Sequence, residues 1–197
     1  MKTLRKRAES SVELHPVIAE RWSPRAYDAD AVIPDSDLTA FLEAARWAPS
    51  AMNGQPWRFI VARRGDAHFQ SLQKTLSGFN QVWAPSASLF VVVSTLTTTE
   101  DGQPRATAMY DAGLAAGLMT VEAHHRGYVV HQIGGFDRDA VSAEFKLDSA
   151  IAPIVILAIG KQAPLESITD EALKSREEAP RTRLPLSELV LAGSISA

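Results

Sequence analysis

The sequence contains no cysteine. That excludes disulfides, thiolate metal ligands and a cysteine nucleophile, and it is neutral to mildly favourable for a cytoplasmic protein. Long hydrophobic runs are also missing: the longest, near 87–96 and 151–159, are too short to span a bilayer. Neither sign of charge dominates. A net charge of −3 gives no reason to expect nucleic acid or an anionic membrane as partner. The basic start, Met1-Lys2-Thr3-Leu4-Arg5-Lys6-Arg7, is followed by Glu9 and by no apolar core. It therefore does not read as a signal peptide, and residues 1–11 are expected to be solvated and flexible. There is no internal repeat, no low-complexity linker and no glycine-rich phosphate loop of either nucleotide-binding type. His124 and His125 are adjacent, so they do not share a helix face, and no metal site is expected.

What is present fits one domain over 1–197, with 46% hydrophobic and 22% charged residues and enough chain to bury a core. Helix-like and strand-like segments are interleaved, which points to an α+β fold. A short helix is expected within 12–22, ended by Ser23-Pro24. The next is expected to open at Pro34-Asp35-Ser36-Asp37, capped by Asp35 or Ser36. It should stop near Ala48, because Pro49 disfavours the α region for the residue before it. Strand-like runs follow at 58–62, 88–95, 128–133 and 151–159, the second rich in β-branched residues. Helices are expected at 66–76, 105–126, from Asp137 to about Lys146, and at 170–178, with a loop at 78–85. The long segment 105–126 carries Gly113 and Gly117 in its interior, each costing about 1 kcal/mol relative to alanine. Something must approach that face closely. An apolar tail, 186–197, follows what reads as a complete core and needs a surface to lie on, such as a second copy of the chain.

Two stretches carry chemistry. In Arg21-Trp22-Ser23-Pro24-Arg25 an extended backbone puts Arg21, Ser23 and Arg25 on one face. Two guanidiniums and a hydroxyl together suit a phosphate, although two surface arginines in ion pairs would read the same way. In Pro49-Ser50-Ala51-Met52-Asn53-Gly54-Gln55-Pro56-Trp57 the prolines stiffen a turn. Ser50, Asn53 and Gln55 each donate and accept hydrogen bonds there, as the edge of a flat heterocycle requires.

The run Ala45-Arg46-Trp47-Ala48-Pro49-Ser50-Ala51-Met52-Asn53-Gly54-Gln55-Pro56-Trp57 resembles the A-R-x-A-P-S-x-x-N-x-Q-P-W signature of the nitroreductase family. Arg21-Trp22-Ser23-Pro24-Arg25 is similar to that family's first motif, with tryptophan in place of a second arginine. The resemblance implies a nitroreductase-like fold: a mostly antiparallel central sheet flanked by helices, with a C-terminal tail, 184–197, exchanged onto a partner in a homodimer. It also implies flavin mononucleotide (FMN) as cofactor and NAD(P)H as co-substrate. In that family a hydride passes to the flavin N5 and then, in a second half-reaction, to a small-molecule acceptor such as a nitroaromatic or a quinone. Relatives of the fold also run reductive dehalogenation or desaturation, and a flavin-storage role stays open.

By the same resemblance, Arg21 and Ser23 hold the phosphate and ribityl chain, Trp22 contributes through its backbone, and Arg25 lies near the N1–C2 edge. Pro49, Ser50, Asn53 and Gln55 line the flavin from the other subunit. Asn80 touches the ring or ribityl, and Gln132, Ile133, Gly134 and Gly135, following His131, run beside N5. Gly134 stands where some members carry a glutamate. Arg181 and Arg183 close on the phosphate. No catalytic side chain is expected, because the cofactor carries the chemistry. His131 is expected to pack and hydrogen-bond.

Overall fold

The computed structural model of the chain describes residues 3–193. Its centre is a four-stranded sheet of β1 (Trp57–Arg63), β2 (Leu89–Leu96), β3 (Val129–Ile133) and β4 (Ile151–Gly160). The strands lie in the order β1-β2-β4-β3 and every neighbouring pair is antiparallel. The inner strands are apolar on both faces, as strands covered on both sides must be. In β2 the side chains of Phe90 and Val92 enter one core, while Leu89, Val91 and Val93 enter the other. Pro153 of β4 sits opposite Ser94, next to the register shift after Val93, where a residue without an N–H is tolerated.

Helices cover both faces. On one side α3 (Ala67–Thr75), α6 (Arg138–Glu144) and α7 (Glu171–Glu178) supply Phe69, Leu72, Val141 and Leu173 to the core. On the other side α2 (Asp35–Arg46) and α5 (Ala108–His125) supply Phe41, Ala45, Ala115 and Met119. Asp66, Asp137 and Asp170 cap α3, α6 and α7 by accepting from the N–H of Phe69, Ala140 and Leu173.

Several local expectations need correction. Helix α1 is confined to Pro16–Glu20, because His15 Nδ1 accepts from Val17 N and Pro16 takes the first helical position. Neither Asp35 nor Ser36 caps α2: Pro34 holds the cap position and no side chain bonds there. Asp35 pairs instead with Arg63, and Asp37 accepts from Tyr128 Oη at 2.6 Å. The expected loop at 78–85 contains a helical turn, α4 (Asn80–Trp83), followed by a 3-10 turn, Ala84–Ser86. Burial of Trp83, stacked on Tyr27, draws that turn inward.

The chain ends are docked unequally. Ala8 N donates to Ala19 O, Gln162 Nε2 to Leu4 O, and Lys6 Nζ lies 4.5 Å over the Trp22 ring. The last helical turn, α8 (Leu186–Leu189), leaves Leu186, Leu189 and Leu191 exposed; residues 194–197 of the expected tail lie outside the described residues. One face of α5 is likewise apolar and exposed, through Met109, Tyr110 and Leu118. A Cβ added at Gly113 or Gly117 on α5 meets nothing within 4 Å. Among the described residues, nothing in the chain itself explains those glycines.

Candidate functional site

After α1 the backbone runs extended, and burial alternates along it: Trp22, Pro24 and Ala26 face inward, Arg21, Ser23 and Arg25 outward. The strap is held from behind. Pro24 O meets His131 Nδ1 at 3.1 Å, and Tyr27 Oη donates to Ala158 O at 2.8 Å. The N–H of Arg25 donates to both carboxylate oxygens of Glu177, at 2.9 and 3.0 Å, while the Arg25 guanidinium lies 3.7 Å from Glu177 Oε2.

Behind α7 the chain returns to the same place. Arg181 donates to Lys6 O at 2.7 Å and Ala19 O at 3.0 Å, against the end of α1. Burial, and then the charges of Arg181 and Arg183, pull the Arg21 guanidinium below the usual arginine range. Burial and Arg183 do the same to Arg181. Among the described residues, none of the three has a carboxylate within 4 Å. Arg21 thus feels the charges of Arg181 and Arg183, and Arg181 that of Arg183, with no acid beside them among the described residues; planar guanidinium forks of this kind suit the oxygens of a phosphate.

Beside this cluster lies the end of β3. The His131 ring is 4.4 Å from that of Trp83, and burial, followed by the Arg25 charge, lowers its pKa to about 4. It is therefore neutral at pH 7 and donates from Nδ1 to Pro24 O. Asn80 Nδ2 donates to Gly135 O at 3.1 Å, and a Cβ on Gly135 would stand 2.9 Å from that nitrogen. A Cβ on Gly134 would meet nothing, so backbone there is open to a flat ring. The Gln132 side chain turns away to Thr120 Oγ1, and Ile133 is in the core; these two offer main chain only.

The loop at 49–55 lies elsewhere. Met52, Asn53 and Gln55 all have positive φ, at 53°, 55° and 42°, and Met52 is 100% exposed. Ser50 Oγ accepts from Gln55 N at 3.0 Å, and Gln55 Nε2 donates to Asn53 O at 3.1 Å. The buried Asp111 near the start of α5 accepts from Ala51 N at 3.4 Å and from Thr107 Oγ1 at 3.1 Å. Arg21 is near His124 at the other end of α5, where its charge adds to the burial that lowers the histidine pKa. At 1.5 Å per residue, Asp111 and His124 stand about 20 Å apart along the helix. The loop also feeds β1, and Gly134 follows β3, on opposite sheet edges about 14 Å apart.

One chain thus gathers Arg21, Ser23, Arg25, Asn80, Gly134, Gly135, Arg181 and Arg183 on one side. It carries Pro49, Ser50, Asn53 and Gln55 on another. A cavity of about 570 Å³ borders only Arg25 of the predicted residues, and its walls include Tyr27, Trp83 and Asp170. The arginine cluster is the better marker of a ligand, because among the described residues its charge lacks a counter-ion. Sequence reasoning missed Glu177 and Asp111, two buried carboxylates with no motif around them.

The family model described as the nitroreductase family matches residues 18–81 and 66–161. The chain belongs to the nitroreductase family, and the fold is that family's α+β fold. A solved structure described as an oxidoreductase containing FMN has a TM-score of 0.89 and 32% identity, covering 100% of this chain and 99% of that one. A nitroreductase family protein from Clostridium difficile 630 has a TM-score of 0.71 and 26% identity, over 91% of this chain and 97% of that one. A Thermus thermophilus protein named NADH dehydrogenase is 29% identical over 203 residues, 87% of this chain and 92% of its own. Among the described residues, no helix is long and apolar enough to cross a membrane.

Proposed function

We propose that the protein is a homodimeric FMN-dependent oxidoreductase that takes a hydride from NAD(P)H and gives it to a small acceptor such as a nitroaromatic or a quinone. The observation that carries this is the cluster of Arg21, Arg181 and Arg183 without a carboxylate partner among the described residues, beside Ser23 and Arg25. The donor set fits the cofactor: guanidiniums and a hydroxyl for the phosphate, a cation for the N1–C2 edge, and side-chain-free backbone at Gly134. The bound flavin would supply hydride acceptance and return at N5, the chemistry that no side chain here offers. The residues bind, orient and bias. Arg21, Ser23, Arg181 and Arg183 hold the phosphate, and charge-assisted bonds of this kind contribute about 1.5–3 kcal/mol each. Arg25 stabilises negative charge at the ring edge. His131, neutral and half-buried, packs the strap and moves no proton.

The separation of the loop at 49–55 from the arginines supports a second copy as its source. The unexplained glycines of α5 and the exposed Met109, Tyr110 and Leu118 provide a face for that copy, and so do the exposed leucines of the tail. NAD(P)H and the acceptor would use one open flavin face in turn. The test is to purify the protein, add FMN, record the visible spectrum, and mix rapidly with NADH or NADPH before adding acceptors. Yellow protein that bleaches with nicotinamide and recovers its colour with acceptor is expected. Protein that stays colourless with FMN contradicts the reading, and a bound flavin that neither nicotinamide bleaches removes the enzymatic part.

A further inference from the structure

Glu177 is 1% exposed, so its charge is almost fully removed from water. A carboxylate is kept there only with charged or hydrogen-bonding partners, and this one has them from a single segment. The main-chain N–H groups of Arg25 and Ala26 donate to it at 2.9–3.4 Å, and the Arg25 guanidinium stands 3.7 Å away. Lys6, from another segment, also feels the Glu177 charge. Glu177 is on α7, three residues before Pro180 and four before Arg181. The same short helix also reaches the turn that carries Asn80, because Arg176 lies 4.4 Å over the Phe79 ring. Arg181 is then tied to Ala19 O. Segment 21–25 is therefore tied to α7 through Glu177, and Arg181, four residues further on, is tied to the end of α1.

We infer that Glu177 is a positioning residue for Arg25, dividing its guanidinium between the protein and the flavin edge and so setting the reduction potential of the bound cofactor. The inference rests on the FMN reading above. The physical reason is competition: a guanidinium held by a carboxylate presents less positive charge to a second acceptor. Replacing that carboxylate by an amide frees the guanidinium to follow negative charge at the ring. Glu177→Gln is expected to favour reduced over oxidised flavin binding about tenfold, a positive shift of about 30 mV for a two-electron couple.

The experiment measures FMN binding by fluorescence, midpoint potential by dye equilibration, and thermal melting, in wild type, Glu177→Gln, Arg25→Gln and the double variant. A positive shift with Glu177→Gln that disappears in the Arg25→Gln background supports the inference, because the effect then passes through Arg25. An unchanged potential with a lower melting point makes Glu177 structural only and overturns it. An equal shift in both backgrounds also overturns it, since Glu177 then acts without Arg25. Should Glu177→Gln not fold, Glu177→Asp keeps the charge but is too short to hold both the main chain and the guanidinium. It is expected to shift the potential in the same direction by less, and no shift overturns the inference. A wild-type protein that binds no FMN overturns the cofactor reading and this inference together; a normal flavoprotein with a flat potential series overturns this inference alone.

Discussion

Acidification tests how tightly the strap around Arg25 is packed. His131 fixes Pro24 O from beneath, lies against Trp83, and is held neutral down to about pH 4 by burial and by Arg25. In the unfolded chain the same ring titrates at about 6.5. Above that pH both states are neutral, and the contribution to stability is complete. Between about 6.5 and 4 the unfolded chain takes up a proton that the folded chain refuses, so stability falls as pH falls. The full gap is worth about 3 kcal/mol, and partial exposure of the ring trims it to about 2. Urea unfolding at about pH 7 and about pH 4.5 reads the loss. In His131→Asn the amide donates to Pro24 O in place of Nδ1 and does not titrate, so most of this acid-dependent loss should disappear. A smaller loss of the same sign remains from His124, also lowered by burial. Asp37, lowered chiefly by its bond from Tyr128, is lost only below the usual aspartate range and does not enter this window. If wild type and His131→Asn lose equal stability between those two pH values, the reasoning about the His131 environment is wrong.

Other perturbations address the remaining parts. Arg21→Ala or Arg181→Ala should weaken FMN binding about 10–100-fold by fluorescence titration, the size of one lost charge-assisted bond. Binding by the wild type should also weaken with added salt. Met52→Gly should stabilise the protein by about 1 kcal/mol in thermal or urea unfolding, because an exposed methionine at φ 53° carries a left-handed penalty that glycine lacks. Leu118→Asp on the exposed face of α5 should shift the protein to monomer in light scattering and remove bound flavin with it.

Much of this is legible in the residues themselves. The β-branched run of β2 and the alternation of Arg21, Ser23 and Arg25 about a Ser-Pro step each declare a local geometry, and the structure has both. The four-residue α4 has no room for a period, so only the burial of Trp83 reveals it. Apolar spacing at Val12 and Leu14 mimics a helix that Pro16 begins later, which overstates the reach of α1. Glu177 and Asp111 look like any acid on a polar surface until their burial is known. Nor can spacing say that the loop at 49–55 and the arginines occupy opposite ends of α5; that is a property of the packed helix. The same packing keeps the two motifs of one chain apart.

Complementation between defective subunits tests that division most directly. Arg21→Glu damages one half-site and Asn53→Asp the other, and each variant alone should bind no flavin. Co-expressed in equal amounts, the two form mixed dimers in which one site carries both lesions and the other carries neither. Random pairing then restores flavin to about one quarter of all sites, read from the visible spectrum per subunit. If each chain builds its own site, every site keeps a lesion. Mixed protein that stays colourless while each partner still dimerises contradicts the two-chain account.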